Sequence, residues 1–479
     1  MADDEIQLEP PTVRHPDIVP AVEDRSYLGY IGSALFVALA GGFLLAGFLP
    51  LAESGTIGWA DRVPLLIQAH GWAQLQGWAG LFVAGMAMRL MPRFAGRKPL
   101  KRNVTVPVLV LLVFSVVVRT VAEPFIDGAA GDWLVLIAAI SGALGTLATG
   151  GVLFYTLARG RRKQEPWRYF AFAGAAWWIA WAAFILAAGI RAYSDGRYTP
   201  APLDDALTWI VFIGPIGNFI WAVQSRSVPV FFGRKTPKLR QVAVPGVALN
   251  LGGALIAASL LPLSDTASAR LVGFGLLFAG IGFTWLPPLA GSVWGTAHRL
   301  RPRARSAARY VLAANIASVG AGLLLVWAGS ESAWRAAYEA VGVRDAARHT
   351  LGLGLITMLI IGMAQLVAPL FALERAEARK PGLVERGPFW LLIAATLIRV
   401  YGALATGHMD EAARLHLVSS AGVLAWVAIA LFAVLVARAR RREPRMKAIL
   451  FDGAAAAMAQ KAATNAKPPE AGEGHDPNR

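Results

Sequence analysis

Apolar runs of about 20 residues, separated by short polar connections, recur from one end of the chain to the other. A helix needs ~20 residues to cross the ~30 Å hydrocarbon core of a bilayer, where only a helix or a closed barrel satisfies its own backbone. The runs predict twelve helices, over 27–50, 62–90, 104–122, 132–158, 169–190, 206–225, 241–262, 270–297, 308–328, 347–372, 388–404 and 415–437. Short connections make sequential helices antiparallel neighbours. Only 16% of the 479 residues are charged, against about 25% in soluble domains. No loop is long enough for a soluble catalytic domain. The acidic, Pro-containing residues 1–26 lack the basic start of a signal peptide. They read as a cytoplasmic tail, as do 439–479.

The formal charge is +16, which could suggest nucleic acid, but its placement argues otherwise. The connections after even-numbered helices hold 31 Arg and Lys, in clusters such as Arg97-Lys98, Arg161-Arg162-Lys163, Arg234-Lys235 and Arg440-Arg441-Arg442, and the opposite side holds 8. That asymmetry is the positive-inside pattern, and it predicts both termini in the cytoplasm. The basic charge is therefore topological, and no nucleic-acid partner is expected; the partner is the lipid bilayer. There is no Cys, so disulfides, thiolate metal sites and Cys nucleophiles are excluded. A metal or cofactor would use His, Met or oxygen ligands.

An internal repeat sets the organisation. Helix 2 ends Arg89-x-x-Pro92-x-Phe94-x-Gly96-Arg97-Lys98, and helix 6 ends Arg226-x-x-Pro229-x-Phe231-x-Gly233-Arg234-Lys235. Helix 10 carries a weaker copy, Pro369-x-Phe371, and shares Gly-Met-Ala with helix 2, at Gly85–Ala87 and Gly362–Ala364. The period is four helices. The fold class is thus all-α integral membrane, with about twelve helices in three four-helix modules (27–160, 161–300 and 301–438) around a pseudo-three-fold axis.

Ionisable groups inside a membrane are costly and usually functional, and the predicted spans contain no Asp, Glu or Lys well inside them. His70 stands 22 residues before Pro92 and His349 stands 20 before Pro369. At ~1.5 Å per residue the two lie within about 3 Å of one depth. Two imidazoles at matched depth on equivalent helices could ligate haem iron in a shared cavity. Two unrelated edge histidines bonded to carbonyls would give the same pattern. Arg119 and Arg399 occupy equivalent places near the outer ends of helices 3 and 11, suited to haem propionates or to snorkelling. His408, Met409 and His416, in or beside the last outer loop, offer imidazole and thioether to copper, or a solvated loop. His15, His298 and His475 suggest no role. The Trp residues, Trp177, Trp178 and Trp181 included, read as packing and interface anchors.

Several of these segments resemble one family. Ala69-His70 through Gly77 and Gly85 to Met91-Pro92-Arg93-Phe94-Ala95-Gly96-Arg97 resembles the second helix of the NnrS family. Gln224-Ser225-Arg226-Ser227-Val228-Pro229-Val230-Phe231-Phe232 is similar to its Gly-Arg-Val-Ile-Pro-Phe-Phe-Thr segment. His349-Thr350-Leu351-Gly352, with Ile356-Thr357-Met358, resembles its His-Ala-Leu-Thr…Gly-Thr-Met segment, and Leu397-Ile398-Arg399 sits where the family keeps an Arg. The resemblance implies a haem- and copper-containing bacterial inner-membrane protein linked to nitric oxide response and denitrification, with His70 and His349 as the ligands carried over. The chain departs from the family at Gln68 and Gly71, which replace a His and a Glu, and it lacks the Gly-His-Thr-Gly that follows helix 10; these departures bear on copper more than on haem.

A more distant likeness is to subunit I of haem–copper oxidases, whose helices 2 and 10 supply haem histidines. This chain lacks the helix 6 His and Tyr, the paired His of helix 7 and the second His of helix 10, so reduction at a haem–copper pair is not expected. The reading is therefore a haem-binding membrane protein, its haem b-type, acting in nitric oxide tolerance or in metal and haem homeostasis, with nitric oxide or a related small molecule as a candidate partner and with turnover and protein partner left open. The alternatives are a cofactor-free multi-pass transporter and a divergent oxidase-like subunit. A topology reporter fused after Arg438 is expected to read cytoplasmic; a periplasmic signal there would mean the helices are miscounted.

Overall fold

The computed structural model describes residues 25–160, 165–291, 302–335, 340–371 and 382–465. His15, His298, His475 and most of the two tails, residues 1–24 and 466–479, lie outside the described residues. Among the described residues there are helices and no strand.

We number the long helices in chain order. α1 is Ser26–Glu53. α2 is assembled from Val63–Trp72, Ala73–Gly80 and Leu81–Phe94. α3 is Arg102–Phe125, α4 Gly128–Ala158, α5 Pro166–Ser194, α6 Ala201–Phe232, α7 Leu239–Ala258 and α8 Asp265–Ala290. α9 is Pro302–Arg335. α10 is assembled from Val341–His349, Thr350–Thr357 and Met358–Phe371. α11 is Leu383–Leu404 and α12 Glu411–Asn465.

Eleven of these helices are long and apolar enough to cross a membrane, so the chain is an all-helical, multi-pass membrane protein. The exception is α2. It is as long as the others but carries Gln68, His70, Gln74, Gln76 and Arg89. Gln68, Gln76 and Arg89 are buried, which is where a polar face of such a helix has to go when lipid surrounds the bundle. Large apolar side chains cover the outside, Phe36, Val110, Leu144 and Val247 among them.

Several helices extend past the predicted spans. α3 continues to Phe125, α6 starts at Ala201 and α10 at Val341, which brings Glu123, Asp204, Asp205 and Asp345 into helices. α12 continues to Asn465 through Ala-, Arg- and Lys-rich sequence of high helix propensity, so residues 439–465, expected as part of a tail, are helical.

The first and last helices pack together. Ser419 Oγ donates to the Gly47 carbonyl at 2.6 Å and Trp426 Nε1 to the Leu39 carbonyl at 2.9 Å. The interior is a continuous apolar core in which Trp78, Trp178, Trp181, Trp209 and Trp221 are fully buried. Trp178 and Trp181 thus serve packing rather than the membrane interface.

The helices that carry the sequence repeat share a backbone feature. α2, α6 and α10 each contain a π segment, at Ala73–Gly80, Phe212–Gly217 and Thr350–Thr357. Each segment ends twelve residues before its repeat proline, Pro92, Pro229 or Pro369. A π turn hydrogen-bonds five residues back and inserts one extra residue, which rotates the rest of the helix. The carbonyl five back lies close to the last residue in all three. A Cβ on Gly80 would meet the Leu75 oxygen at 2.8 Å, a Cβ on Gly217 would meet the Phe212 oxygen at 2.7 Å, and the Thr357 hydroxyl donates to the Gly352 oxygen at 2.8 Å.

Helix contacts repeat as well. A Cβ added at Gly85 would lie 2.5 Å from Tyr30 Cβ of α1, and one at Gly362 would lie 2.4 Å from Tyr310 Cβ of α9. Small residues permit this approach. Gly85→Val and Gly362→Val should each destabilise the protein by about 1–3 kcal/mol, the usual cost of overpacking, read as a lower thermal midpoint in detergent. An unchanged midpoint in either would show that those helices are not held at this distance.

Candidate functional site

A cavity of about 280 Å³ lies among α1, α2, α6, α10, α11 and α12. The helices run through it in register, so its lining is sorted by depth. Glu53, Asp204, Asp345, Arg348 and Arg399 line it toward the helix ends remote from the basic connections. Phe43, Leu75, Trp78, Phe212 and Ile356 line the deeper part. At the floor the Trp78 indole N–H donates to the Thr357 hydroxyl at 3.0 Å, joining the π segments of α2 and α10.

His70 of α2 and His349 of α10 both line this cavity. His70 Nδ1 donates to the Gly42 carbonyl of α1 at 2.9 Å. His349 Nδ1 is 2.9 Å from the Asp345 carbonyl oxygen and 3.1 Å from Asp345 Oδ1. Those oxygens can only accept, so each neutral ring carries its proton on Nδ1 and keeps a lone pair on Nε2. Anchoring of Nδ1 by an oxygen is what orients an imidazole as a ligand. The carbonyl at His70 belongs to a neighbouring helix rather than a loop.

The two arginines singled out from the sequence have different settings. Arg399 lines the cavity, and its Nη2 lies 2.8 Å from Asp345 Oδ2. Arg119 is not brought to the cavity wall. It is buried, with Glu123 accepting from Nε and Nη2 at 3.3 and 3.2 Å, Thr199 accepting from Nη2 at 3.1 Å, and the Trp72 ring 4.2 Å from its guanidinium carbon. Glu123, one turn further along α3, takes the guanidinium; the predicted span ended at 122, which left this carboxylate out.

Sequence reasoning also missed Asp204, Asp345 and Arg348, although one signal was available. Trp72, Trp209 and His349 each stand 20 residues before the repeat proline, and Gln68, Asp205 and Asp345 each stand 24 before it. Every member of the first set has an arginine beside it or beside its bonded carboxylate: Arg119 over Trp72, Arg348 over Trp209 at 5.1 Å, and Arg399 on Asp345. In the second set, Gln68 bonds the backbone N–H and carbonyl of Thr199 at 2.9 and 2.6 Å. Asp205 pairs with both Arg344 and Arg348.

Of the residues suggested for copper, His408 and Met409 lie in the turn before α12 and His416 lies in its second turn. His416 Nδ1 donates to the Ala412 carbonyl at 2.7 Å, and its Nε2 lies 3.2 Å from Thr56 Oγ1. Among the described residues no three His, Asp or Glu side chains cluster as a metal site.

Haem would ask this cavity for two imidazole nitrogens, an apolar wall and cations for its propionates. The donor set meets those demands. Two Nε2 atoms are free of described partners, Trp78, Phe212, Leu353 and Ile356 supply the wall, and Arg348 Nε and Arg399 Nη1 are buried without a hydrogen-bond partner. No protein-family model and no curated protein sequence matches the chain.

The Arg119–Glu123 pair lies at 2% and 0% exposure, so removing one member strands the other's charge. Glu123→Ala should cost about 3–5 kcal/mol of stability, seen as a lowered unfolding midpoint, while leaving the cavity residues untouched. A neutral result would mean the pair is not dry.

Proposed function

We propose that this chain is a haem-binding protein of a bacterial inner membrane, with His70 and His349 as the axial ligands of a b-type haem. The observation that carries the reading is a pair of imidazoles on one intramembrane cavity, each held through Nδ1 and each with Nε2 left over. Arg399 and Arg348 would meet the propionates, and the apolar residues around Trp78 would border the macrocycle. When bound through both imidazoles, haem would supply one-electron chemistry.

The architecture proposed with it is twelve spans in three four-helix modules, both termini cytoplasmic. The common register of the π segments and repeat prolines supports the modules, and the distribution of Arg and Lys supports the orientation. α2 counts as the twelfth span because Gln68, Gln76 and Arg89 are buried within the protein. A role in nitric oxide response or tolerance is supported by the resemblance of the His70, Pro229 and His349 segments to the NnrS family.

Purified protein from haem-supplied cells is expected to show a Soret band and a sharp reduced α-band. His70→Ala and His349→Ala should each abolish them while the variants still elute as folded protein. A wild-type preparation without haem, or either variant with the full wild-type spectrum, overturns the assignment.

A further inference from the structure

The two imidazoles are not equivalent. His70 Nδ1 rests on a neutral carbonyl, that of Gly42. His349 Nδ1 has the Asp345 carboxylate 3.1 Å away as well as its own backbone carbonyl contact, and the other oxygen of that carboxylate is 2.8 Å from Arg399. One carboxylate therefore joins the second ring to the cavity guanidinium.

Comparison along the repeat shows that this arrangement is particular to α10. At the equivalent register, Gln68 and Asp205 both reach outside their own helix to hold a neighbouring segment: Gln68 the backbone of Thr199 ahead of α6, Asp205 the arginines of α10. Asp345 instead turns to the ring one helical turn along and to α11. The ring in question stands where the other two copies have Trp72 and Trp209, which offer no ligand nitrogen. A carboxylate and an imidazole thus occur together in one copy of three.

We propose that Asp345 is the positioning residue of this site: it fixes His349 with Nε2 toward the cavity, strengthens that nitrogen as a donor, and has its own charge moderated by Arg399. A carboxylate on the distal N–H of a ligating imidazole raises ligand basicity; a carbonyl does so less. The inference rests on the haem reading, and it makes His349 the stronger and His70 the weaker axial donor. A stronger donor favours the ferric state, so Asp345 holds the reduction potential down and Arg399 holds it up.

The test is the midpoint potential of the purified, haem-loaded protein at one fixed pH, with the ferric electron paramagnetic resonance spectrum recorded alongside. Asp345→Asn should shift the oxidised-to-reduced ratio at least tenfold toward reduced, ~59 mV upward for one electron. Its ferric g-values should spread, as imidazolate character is lost. Arg399→Gln should move the potential the opposite way, since it frees the carboxylate for the ring. Packing damage alone would not give opposite signs. Asp204→Asn removes a charge from the same wall without touching either ring, and should shift the potential less than Asp345→Asn and leave the g-values unchanged. Asp345→Glu should restore most of the wild-type potential. If Asp345→Asn cannot be recovered folded, Arg399→Gln and Asp345→Glu carry the test. Haem bound normally but with unchanged potentials, or with shifts of one sign in both variants, overturns the role of Asp345. Absence of haem from the wild type overturns the underlying reading instead.

Discussion

A polar side chain inside a lipid-embedded bundle has to find its partner within the protein, because lipid offers none and an unpartnered group costs several kcal/mol. The ends of α2, α3, α6, α10 and α11 remote from the basic connections are organised by that demand. Gln68 holds Thr199, Glu123 holds Arg119, Asp205 holds Arg344 and Arg348, and Asp345 holds Arg399. Buried ion pairs contribute little net stability relative to apolar residues of the same volume. Their effect is on register: sliding one of these helices by a turn would leave charges stranded. The same helices wall the cavity, so its lining is fixed by pairs that do not themselves all face it.

The π segments are the second determinant of the lining. Gln74, Leu75, Trp78 and Ala79 of α2, Phe212 of α6, and Gly352, Leu353, Ile356 and Thr357 of α10 all border the cavity from within such segments. An extra residue per turn shifts which side chains look inward. A regular 3.6-residue period drawn through His70 would assign the deeper face differently. The Trp78–Thr357 bond at the floor exists because both helices carry the insertion at one depth.

These two determinants explain what the sequence could and could not reveal. The all-helical, multi-pass character was legible, because hydropathy decides where most of the chain can cross lipid: among the described residues eleven helices meet that test, and α2, with Gln68, Gln76 and Arg89 buried, does not. The repeat proline was legible as identity at fixed spacing. The ends of helices were not. Hydropathy falls where Glu123, Asp205 and Asp345 begin, yet their charges are matched inside the protein and the helices continue through them. The contrast between Arg119 and Arg399 was hidden for the same reason: Arg119 is taken by Glu123, Thr199 and the Trp72 ring off the cavity wall, while Arg399 pairs with Asp345 on it. The π segments left no compositional mark that hydropathy could detect.

The repeat also accounts for why the cavity lies beside α10. Counting back from the repeat prolines, the position 20 residues earlier is Trp72, Trp209 or His349, and the position 17 earlier is Leu75, Phe212 or Gly352. α2 and α6 therefore place a bulky pair, Trp with Leu and Trp with Phe, where α10 places an imidazole and no side chain at all. A Cβ on Gly352 would meet only the rim of the Phe212 ring, at 3.9 Å, so the volume released is not refilled by a neighbour. Close packing ordinarily disfavours such a void, and this one is bordered by charged side chains, Glu53, Asp204, Asp345, Arg348 and Arg399, as well as apolar ones. The void is lined on one side by His349 and on another by His70, and Leu207, the α6 residue in register with His70, offers no donor. At two positions of the sequence repeat, α10 thus has an imidazole where α2 and α6 have indoles and no side chain where they have Leu75 and Phe212, and both differences border the cavity.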